Sequence, residues 1–385
     1  MNVKRSLSNL AKALKGHRKL RIISVLVVSF VFSIIMVGCS KNTIKIGYIA
    51  DLSALTSQLG VDARNALLLR VDQINAQGGI NGHPIEIIIK DEKGDAELAS
   101  QLFDAFKNEK VKFVIGPLTS SMAVPALEAQ SNELLIVSPS ISGDLVTGLD
   151  DYFLRTCQLN TQQAKQLSDF MIENGIYEAQ VAYTTTNRDY TETLAQSFKD
   201  YYESSGGTVT ELFGYESDDD LEEVASKLTS NGSNVSLIVS HAMDTAIIQQ
   251  HIKKNSPEHQ SFGIQWSMTN DLIANGGKAV EGMYFVGNYS SEAFSDDYVD
   301  FTRSFYERYG YEATFITYWT YDAIEVLAYG LNEAKEETPD SVKAAILQKK
   351  DFEGIDQNFT IDAFGDSNKR YTIYKLTNGA FEKAK

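Results

Sequence analysis

The chain has 385 residues, a length typical of about two domains, each able to bury its own core. Its net charge of −16 at pH 7 argues against a nucleic-acid partner, because proteins that bind nucleic acids need basic patches. The two cysteines, Cys39 and Cys157, exclude a metal site made of several cysteines. The five histidines are scattered, with no pair at a metal-ligand spacing, and we expect neither a metal nor a cofactor.

The first 38 residues have the pattern of an export signal. Seven basic residues and no acidic residue precede an apolar run at 22–37, and Gly38 and Cys39 follow it. A cysteine directly after a small residue resembles a bacterial lipobox, although Met36 stands where leucine is usual. The resemblance implies cleavage before Cys39, lipidation of its thiol and anchoring at the extracytoplasmic face of the cell membrane. Cleavage would lower the net charge from −16 by seven, to −23. The alternative is a retained membrane span, for which the run is shorter than the ~20 residues required.

Strands and helices alternate in the chain that follows. The apolar run from Ile44 predicts a buried strand, and residues 85–91 predict a second one. Between them, apolar residues at helical spacing predict a helix over 60–77 that stops at Gly78-Gly79. The glycine-rich turn after this helix opens a strand, so it is a plain turn, since phosphate loops open a helix. The order predicts an α/β fold with a parallel sheet that helices cover on both faces.

Hydroxyl side chains follow two strands that we predict at 111–116 and 134–138. A helix predicted from Thr119 to about Asn132 begins where the first strand ends. A helix N-terminus carries unpaired N–H groups, and ligands of open α/β sheets bind outside the carboxyl ends of the strands. We therefore predict that these turns hold a carboxylate, or another polar head of a small molecule, through four serines: Ser120, Ser121, Ser140 and Ser142.

The second half of the chain repeats the alternation. Five strands are predicted between residues 181 and 286, of which the fourth ends at Trp266. The remainder is mostly helical, beginning with a helix predicted from Asp296 to Tyr309. We expect it to cross back, because the first sheet still lacks cover. This organisation predicts two lobes with a ligand cleft between them. Residues 44–158 and 290–365 would form the first lobe, and residues 159–289 and 366–385 the second.

Several stretches resemble one known family in their order and spacing. They include IKIGYIADLSALTSQLG, VKFVIGPLTSSMAVPALEAQSNELLIVSPSIS, YFLRT and YWTYDAIEVLAYGL. They resemble the branched-chain amino-acid binding family, the extracytoplasmic solute-binding proteins of ABC transporters, which have the type I periplasmic-binding fold. The resemblance covers nearly the whole chain after Cys39.

The resemblance implies two doubly wound lobes, joined by a three-strand hinge, that close on a ligand. It implies that Ser120 holds the ligand carboxylate and that Ser140 and Ser142 do so by backbone and hydroxyl groups. It also implies that Tyr190, at the start of a second-lobe helix, contacts the ligand. A helix cap without ligand contact is the alternative for Ser120.

The chain departs from the family at positions that bear on specificity. Trp266 stands where the family has an acidic residue that pairs with the ligand ammonium. Leu59 and Met243 stand in place of two aromatic residues, and Thr119 occupies a position of the family's first-lobe disulfide. The resemblance implies that Met243 and Trp266 face the ligand from the second lobe.

The missing acidic residue leaves two alternatives, because an unpaired buried ammonium is costly. Another acid substitutes, with Asp244 and Asp271 as the nearest candidates, or the ligand has no ammonium group. In the second case Trp266 would stack on a flat or apolar body, or over a cation. Trp266 as a plain core aromatic at a strand end is a further alternative.

We expect a lipid-anchored binding protein, not an enzyme, that passes a small carboxylate-bearing molecule, an amino acid or a related compound, to the subunits of an ABC permease. Nothing in the chain resembles a nucleophile with a base and an acid. A receptor that reports ligand occupancy to a membrane signalling partner is the alternative. An enzyme on a dinucleotide-binding fold is disfavoured, since IGYIADLSALTSQLG lacks a GxGxxG fingerprint.

Overall fold

The structure is a computed structural model that describes residues 43–54, 57–216, 219–230, 232–288 and 295–384. The predicted signal segment at 1–38 and the predicted lipidation site at Cys39 lie outside the described residues. Within these ranges, no helix is both long enough and apolar enough to cross a membrane.

The first sheet has five strands, all parallel to their neighbours. The strands are β1 (Ile44–Ala50), β2 (Ile85–Asp91), β3 (Phe113–Ile115), β4 (Leu135–Ser138) and β5 (Phe153–Arg155), in the spatial order β2-β1-β3-β4-β5. The connecting helices are α1 (Ser57–Ala76), α2 (Ala96–Asn108) and α3 (Ala123–Ala129). Asp95 caps α2, because its carboxylate accepts hydrogen bonds from the N–H groups of Glu97 and Leu98.

The second sheet has seven strands, and its first five in the chain are parallel to one another. These are β6 (Glu178–Thr184), β7 (Thr208–Tyr215), β8 (Val235–Val239), β9 (Gln260–Ile264) and β10 (Tyr284–Gly287). Their helices are α4 (Asn160–Glu173), α5 (Arg188–Ser204), α6 (Leu221–Leu228), α7 (Ala242–Asn255) and α8 (Asn270–Gly276).

The last part of the chain returns to the first sheet and then to the second. Its helices are α9 (Asp296–Tyr309), α10 (Phe315–Glu333) and α11 (Pro339–Lys349). Helix α10 packs against α1, and Arg70 of α1 pairs with Glu325 of α10 at 2.6 Å. A short hairpin of β11 (Asp351–Phe352) and β12 (Phe359–Thr360) follows. Finally, β13 (Thr372–Thr377) and β14 (Ala380–Lys383) extend the second sheet in antiparallel fashion, beside β10.

This architecture confirms the predicted α/β class with two parallel sheets, each flanked by helices. The chain passes between the sheets three times, after β5, after β10 and before β13. The interior of each sheet is fully buried; for example, Ile46 of β1 and Ile238 of β8 are 0% exposed.

Two local predictions are wrong. The helix expected from Thr119 to about Asn132 begins as a 3₁₀ turn over Ser120–Met122 and ends at Ala129, because a tight turn between Ser131 and Leu134 leads directly into β4. The strand expected to end at Trp266 ends at Ile264, and a 3₁₀ turn over Gln265–Ser267 follows it. Helix α8 and strand β14 were not predicted.

Candidate functional site

A narrow cavity of about 30 Å³ lies between the two sheets, where residues that follow β3, β4 and β9 meet. Its walls are formed by fourteen residues: Leu59, Leu118, Thr119, Ser120, Ser140, Ser142, Gln163, Asn187, Tyr190, Gln265, Trp266, Phe315, Trp319 and Tyr371. The turns after β3 and β4, residues 117–121 and 139–143, are called the first wall below. Helix α4, helix α5 with the preceding residue Asn187, and the turn after β9 are called the second wall.

Hydrogen bonds between its two turns fix the shape of the first wall. The Ser138 hydroxyl donates to the Pro117 carbonyl at 2.7 Å, and the Ser140 hydroxyl donates to the Leu118 carbonyl at 2.7 Å. The first turn also needs glycine at position 116, where φ is +102° and a Cβ would lie 2.2 Å from the Ile49 carbonyl oxygen. The sequence therefore holds the two strand ends side by side without help from a ligand.

Ser120 and Ser142 present their hydroxyls to the cavity. Both residues are buried and line it, and within the described residues neither hydroxyl has a hydrogen-bond partner. The two turns converge closely, since a Cβ at Gly143 would lie 3.3 Å from the Ser120 Oγ. Because each hydroxyl can donate one hydrogen bond, the pair can hold the two oxygens of a carboxylate.

The other two predicted serines have different positions. The Ser140 side chain lines the cavity, but its hydroxyl proton is used on Leu118. Ser121 is not part of the lining; its hydroxyl pairs with Thr119 at 3.2 Å. The N–H of Ser121 donates to Asn187 Oδ1 at 3.0 Å, and this bond joins the first wall to the second.

Arg155 holds the second turn of the first wall in place. This arginine is 1% exposed, and its guanidinium donates to the Gly143 carbonyl at 3.1 Å and to the Thr147 hydroxyl at 2.7 Å. Its Nε pairs with Asp366 at 2.8 Å. The YFLRT stretch contains this residue, but nothing in its local pattern indicates which carbonyl the side chain reaches.

Two aromatic rings of the second wall contact each other. Trp266 and Tyr190 meet edge to face, with centroids 6.0 Å apart, and the His241 ring also meets Trp266 edge to face, at 5.5 Å. The Tyr190 hydroxyl donates to Gln163 Oε1 at 3.1 Å. Burial raises the pKa of Tyr190 well above its ordinary value, so the phenol stays neutral.

Three further aromatic residues of the lining were not predicted from the sequence. Phe315 and Trp319 lie one turn apart on α10, with ring centroids 5.1 Å apart, and Tyr371 precedes β13. Trp319 Nε1 donates to the Asn288 carbonyl at 3.3 Å. The spacing of Phe315 and Trp319 is a weak sequence signal, because it is equally typical of a helix face buried in a core.

The remaining predicted residues lie outside the lining. Met243 is 41% exposed on the first turn of α7, whose buried face runs through Asp244 and Thr245 instead. Asp244 is buried, and its Oδ2 accepts from the Tyr215 hydroxyl at 3.1 Å and lies 3.3 Å from His241 Nε2. Burial lowers the pKa of His241, and the Asp244 carboxylate opposes this effect. Asp271 is also not part of the lining.

One group of acids is close enough to share a cation, and it lies away from the cavity. Carboxylate oxygens of Asp51, Asp91 and Glu92 lie within 4.8 Å of one another. Asp91 is engaged by the N–H of Leu52 at 2.9 Å and by the Ser53 hydroxyl at 2.6 Å. Burial raises the pKa of Glu92 to about 7, so its carboxyl is only partly ionised near neutral pH. We assign no ion to this group.

Among the described residues, the cavity lining lacks the side chains that most often serve as general acids or bases. Its lining contains hydroxyl, amide and aromatic groups but no carboxylate, imidazole, thiol, ammonium or guanidinium group from that part of the chain. The arrangement can bind a small molecule by hydrogen bonds and aromatic contact.

Comparison with known proteins agrees with this geometry. A family model described as periplasmic binding protein matches residues 43–380. The leucine-, isoleucine-, valine-, threonine- and alanine-binding protein of Pseudomonas aeruginosa is 26% identical over 342 residues, which are 87% of this chain and 90% of that protein.

Solved structures of similar fold include two binding proteins with ligands. The branched-chain amino acid transporter substrate binding protein LivJ of Streptococcus pneumoniae, in complex with isoleucine, has a TM-score of 0.82 and 24% identity. The match covers 89% of this chain and 99% of that one. An ABC-transporter solute binding protein of R. palustris, in complex with benzoate, has a TM-score of 0.80 and 18% identity, covering 89% and 95% of the two chains.

These matches confirm the resemblance to the branched-chain amino-acid binding proteins and the type I periplasmic-binding fold. Members of the family are extracytoplasmic substrate-binding proteins of ABC transporters, not enzymes. With the family model matching most of its length, this chain belongs to the periplasmic binding protein family.

Proposed function

We propose that this protein captures a small carboxylate-bearing molecule in the cavity between its two sheets and delivers it to an ABC permease. The proposal is carried by Ser120 and Ser142, two buried residues that line the cavity and whose hydroxyls have no hydrogen-bond partner among the described residues. Isoleucine and benzoate, the ligands of the two solved relatives, share a carboxylate. The protein performs no reaction on its ligand.

Closure of two lobes about their three connections would trap the ligand. We propose that residues 44–158 and 290–365 form the first lobe and that residues 159–289 and 366–385 form the second. The bond from the Ser121 N–H to Asn187 Oδ1 joins the walls and supports this mechanism, because it can form only when they approach.

The test is ligand affinity by calorimetry, with a panel of amino acids and aromatic and aliphatic carboxylic acids. A bound ligand should also raise the melting temperature of the protein. For a ligand found in this way, Ser120→Ala and Ser142→Ala should each weaken binding about 10- to 100-fold, since each removes a hydrogen bond to a charged group.

Ser121→Ala is the matched control, because it removes a hydroxyl of the same turn that lies outside the lining and keeps the N–H bond to Asn187. Its affinity should stay close to that of the wild type. Unchanged affinity in both Ser120→Ala and Ser142→Ala would show that the first wall does not hold the carboxylate.

The proposal includes a lipid anchor at Cys39 on the extracytoplasmic face of the membrane. The sequence supports it through the basic segment, the apolar run at 22–37 and the cysteine after Gly38. Cys39→Ser should move the protein from the membrane fraction to the soluble fraction. Continued tight membrane association of this variant would instead support a retained span.

A further inference from the structure

We infer that the ligand is a carboxylate that has no ammonium group and has a flat, apolar body. This inference rests on the proposed function, because it specifies the ligand class of the same cavity. Its first support is the charge of the lining, which contains no acidic side chain within the described residues. A buried ammonium without an anionic partner is costly, so an amino acid would be a poor fit.

Asp244, the first of the two candidate acids and a neighbour of the His241 ring that packs on Trp266, already has hydrogen-bond partners. Asp244 accepts from the hydroxyls of Tyr215 and Ser240, at 3.1 and 3.4 Å, and lies against His241. Trp266 packs on the ring of His241 and forms the cavity wall itself. To pair with an ammonium in the cavity, Asp244 would have to leave a buried network.

The side-chain amide oxygens of the second wall also accept hydrogen bonds from other groups of the protein. Gln163 Oε1 accepts from the Tyr190 hydroxyl at 3.1 Å, and Asn187 Oδ1 accepts from the Ser121 N–H at 3.0 Å. Gln265 Oε1 accepts from the Asn288 N–H. Each of these neutral oxygens therefore already accepts at least one hydrogen bond, and none carries the negative charge that would offset a buried ammonium.

The side-chain amide of Gln265 also carries an unpaired hydrogen-bond donor, its Nε2 group. The residue is 2% exposed and lines the cavity, and its Nε2 has no hydrogen-bond partner among the described residues. Its amide orientation is fixed, because Oε1 must face the N–H of Asn288. A free N–H group repels an ammonium and suits an acceptor, such as an oxygen on the ligand body.

The aromatic lining specifies the shape of the body. Tyr190, Trp266, Phe315 and Trp319 all line the cavity, and each of the pairs Tyr190–Trp266 and Phe315–Trp319 meets edge to face. Rings in this arrangement favour a planar, apolar group between them, through stacked or edge contacts. An aryl carboxylate meets both requirements, with its head on the first wall and its ring among Tyr190, Trp266 and the two aromatic residues of α10.

The test compares pairs of ligands that differ only in the ammonium group. Binding of L-phenylalanine and 3-phenylpropanoate, and of L-leucine and 4-methylpentanoate, is measured by calorimetry with the purified protein. We expect each deaminated acid to bind more than about tenfold more tightly than its amino acid, and 3-phenylpropanoate to bind most tightly.

Equal or tighter binding of the amino acids would overturn the inference and leave the proposed function standing. It would mean that an acidic group from outside the described lining reaches the ligand. Absence of binding by all four compounds, and by benzoate, would count against the proposed function itself.

Gln265→Glu sharpens the test, because it introduces a carboxylate at the second wall and keeps an acceptor for the Asn288 N–H. The ratio of the Kd for L-phenylalanine to the Kd for 3-phenylpropanoate should fall about tenfold or more, which corresponds to a new ion pair. Gln101→Glu, an exposed position on α2, makes the same charge change away from the cavity and should leave the ratio unchanged.

Trp266→Leu provides a second variant. The substitution should weaken the binding of 3-phenylpropanoate about tenfold and the binding of 4-methylpentanoate less, since it removes a ring contact but keeps an apolar surface. Melting temperatures of the ligand-free variants show whether each is folded. An unchanged ligand ratio in folded Gln265→Glu, or equal losses for both acids in Trp266→Leu, would contradict the assignment of the ligand body to the second wall.

Discussion

The two walls of the cavity are built in different ways. The first wall consists of two backbone turns whose carbonyls accept from Ser138, Ser140 and Arg155, so its shape is set by the protein alone. The second wall consists of side chains, chiefly Tyr190 and Trp266, that pack edge to face and hydrogen-bond through neutral groups. A fixed polar turn suits a head group common to many ligands, whereas packed side chains suit discrimination between ligand bodies.

The difference extends to the charges buried behind each wall. The first wall depends on the ion pair of Arg155 and Asp366. Lys369, three residues after Asp366 and 1% exposed, forms a second buried pair with Asp322. Around the second sheet, burial lowers the pKa of His241, next to Trp266, and of His259, next to Ser236 of β8. Removing one partner of a buried charge pair is costly, whereas a neutral buried group is sensitive to pH instead.

The largest effect is expected from Arg155→Met. The change leaves the Asp366 carboxylate without its buried partner and frees the Gly143 carbonyl, so the free energy of unfolding should fall by about 3–5 kcal/mol. Because the turn that carries Ser142 loses its support, ligand affinity should fall as well. Urea unfolding and calorimetry measure the two effects.

Arg188→Met is the control for Arg155→Met, since Arg188 forms an exposed pair with Glu192 within α5. Exposed pairs contribute little to stability, so the unfolding midpoint should barely move. Similar midpoints for the two variants would show that the buried pair does not support the first wall.

The next effect concerns the free energy of unfolding, to which a buried acid near the first sheet and a buried histidine near the second contribute with opposite pH dependence. Burial raises the pKa of Glu92, next to Asp51 and Asp91, to about 7. Its unfolded-state value is 4.5, so the native protein holds the proton more tightly, and this contribution to stability is present at pH 4.5 and lost as the pH rises through 7. Between pH 4.5 and 7, this change in the free energy of unfolding is on the order of 3 kcal/mol.

His259 acts in the other direction. Burial, assisted by the Lys253 charge, lowers its pKa from 6.5 to about 4, so its contribution is present above pH 6.5 and lost as the pH falls through 4. Relative to the wild type, Glu92→Gln should therefore gain stability between pH 5 and 8, and His259→Gln should gain stability between pH 6.5 and 4. Chemical unfolding across this range measures both, and parallel curves for the two variants would contradict the comparison.

Much of the fold could be predicted because its signals are local. The bounds predicted for α9, Asp296–Tyr309, are those observed, since Ser295 caps its start and Gly310 ends it in the left-handed conformation. The four serines of the first wall follow strand ends, and the α/β order alone brings strand ends together. Of these, Ser120, Ser140 and Ser142 line the cavity, and Ser121 lies just outside it.

The second wall could be predicted only in part because it depends on tertiary packing. Trp266 and Tyr190 line the cavity, but Met243 does not, since the rotation of α7 turns Asp244 inward and leaves Met243 exposed. Phe315 and Trp319 approach the cavity because α10 packs on the first sheet, and no local pattern specifies which side chains of this helix reach the cavity. The roles of these side chains as ligand contacts stay predictions.

The smallest effect concerns the bond that joins the walls. Asn187→Ala removes the acceptor of the Ser121 N–H, a neutral hydrogen bond worth about 1 kcal/mol, so ligand affinity should fall about fivefold. Under the proposed closure mechanism this bond forms when the walls approach, so the loss should appear as faster ligand dissociation, measured by stopped-flow fluorescence, with little change in the stability of the ligand-free protein. Asn174→Ala, at the exposed end of α4, is the control and should change neither quantity. If Asn187→Ala slows association instead and leaves dissociation unchanged, Asn187 shapes the open protein, and the two walls are held together by the ligand alone.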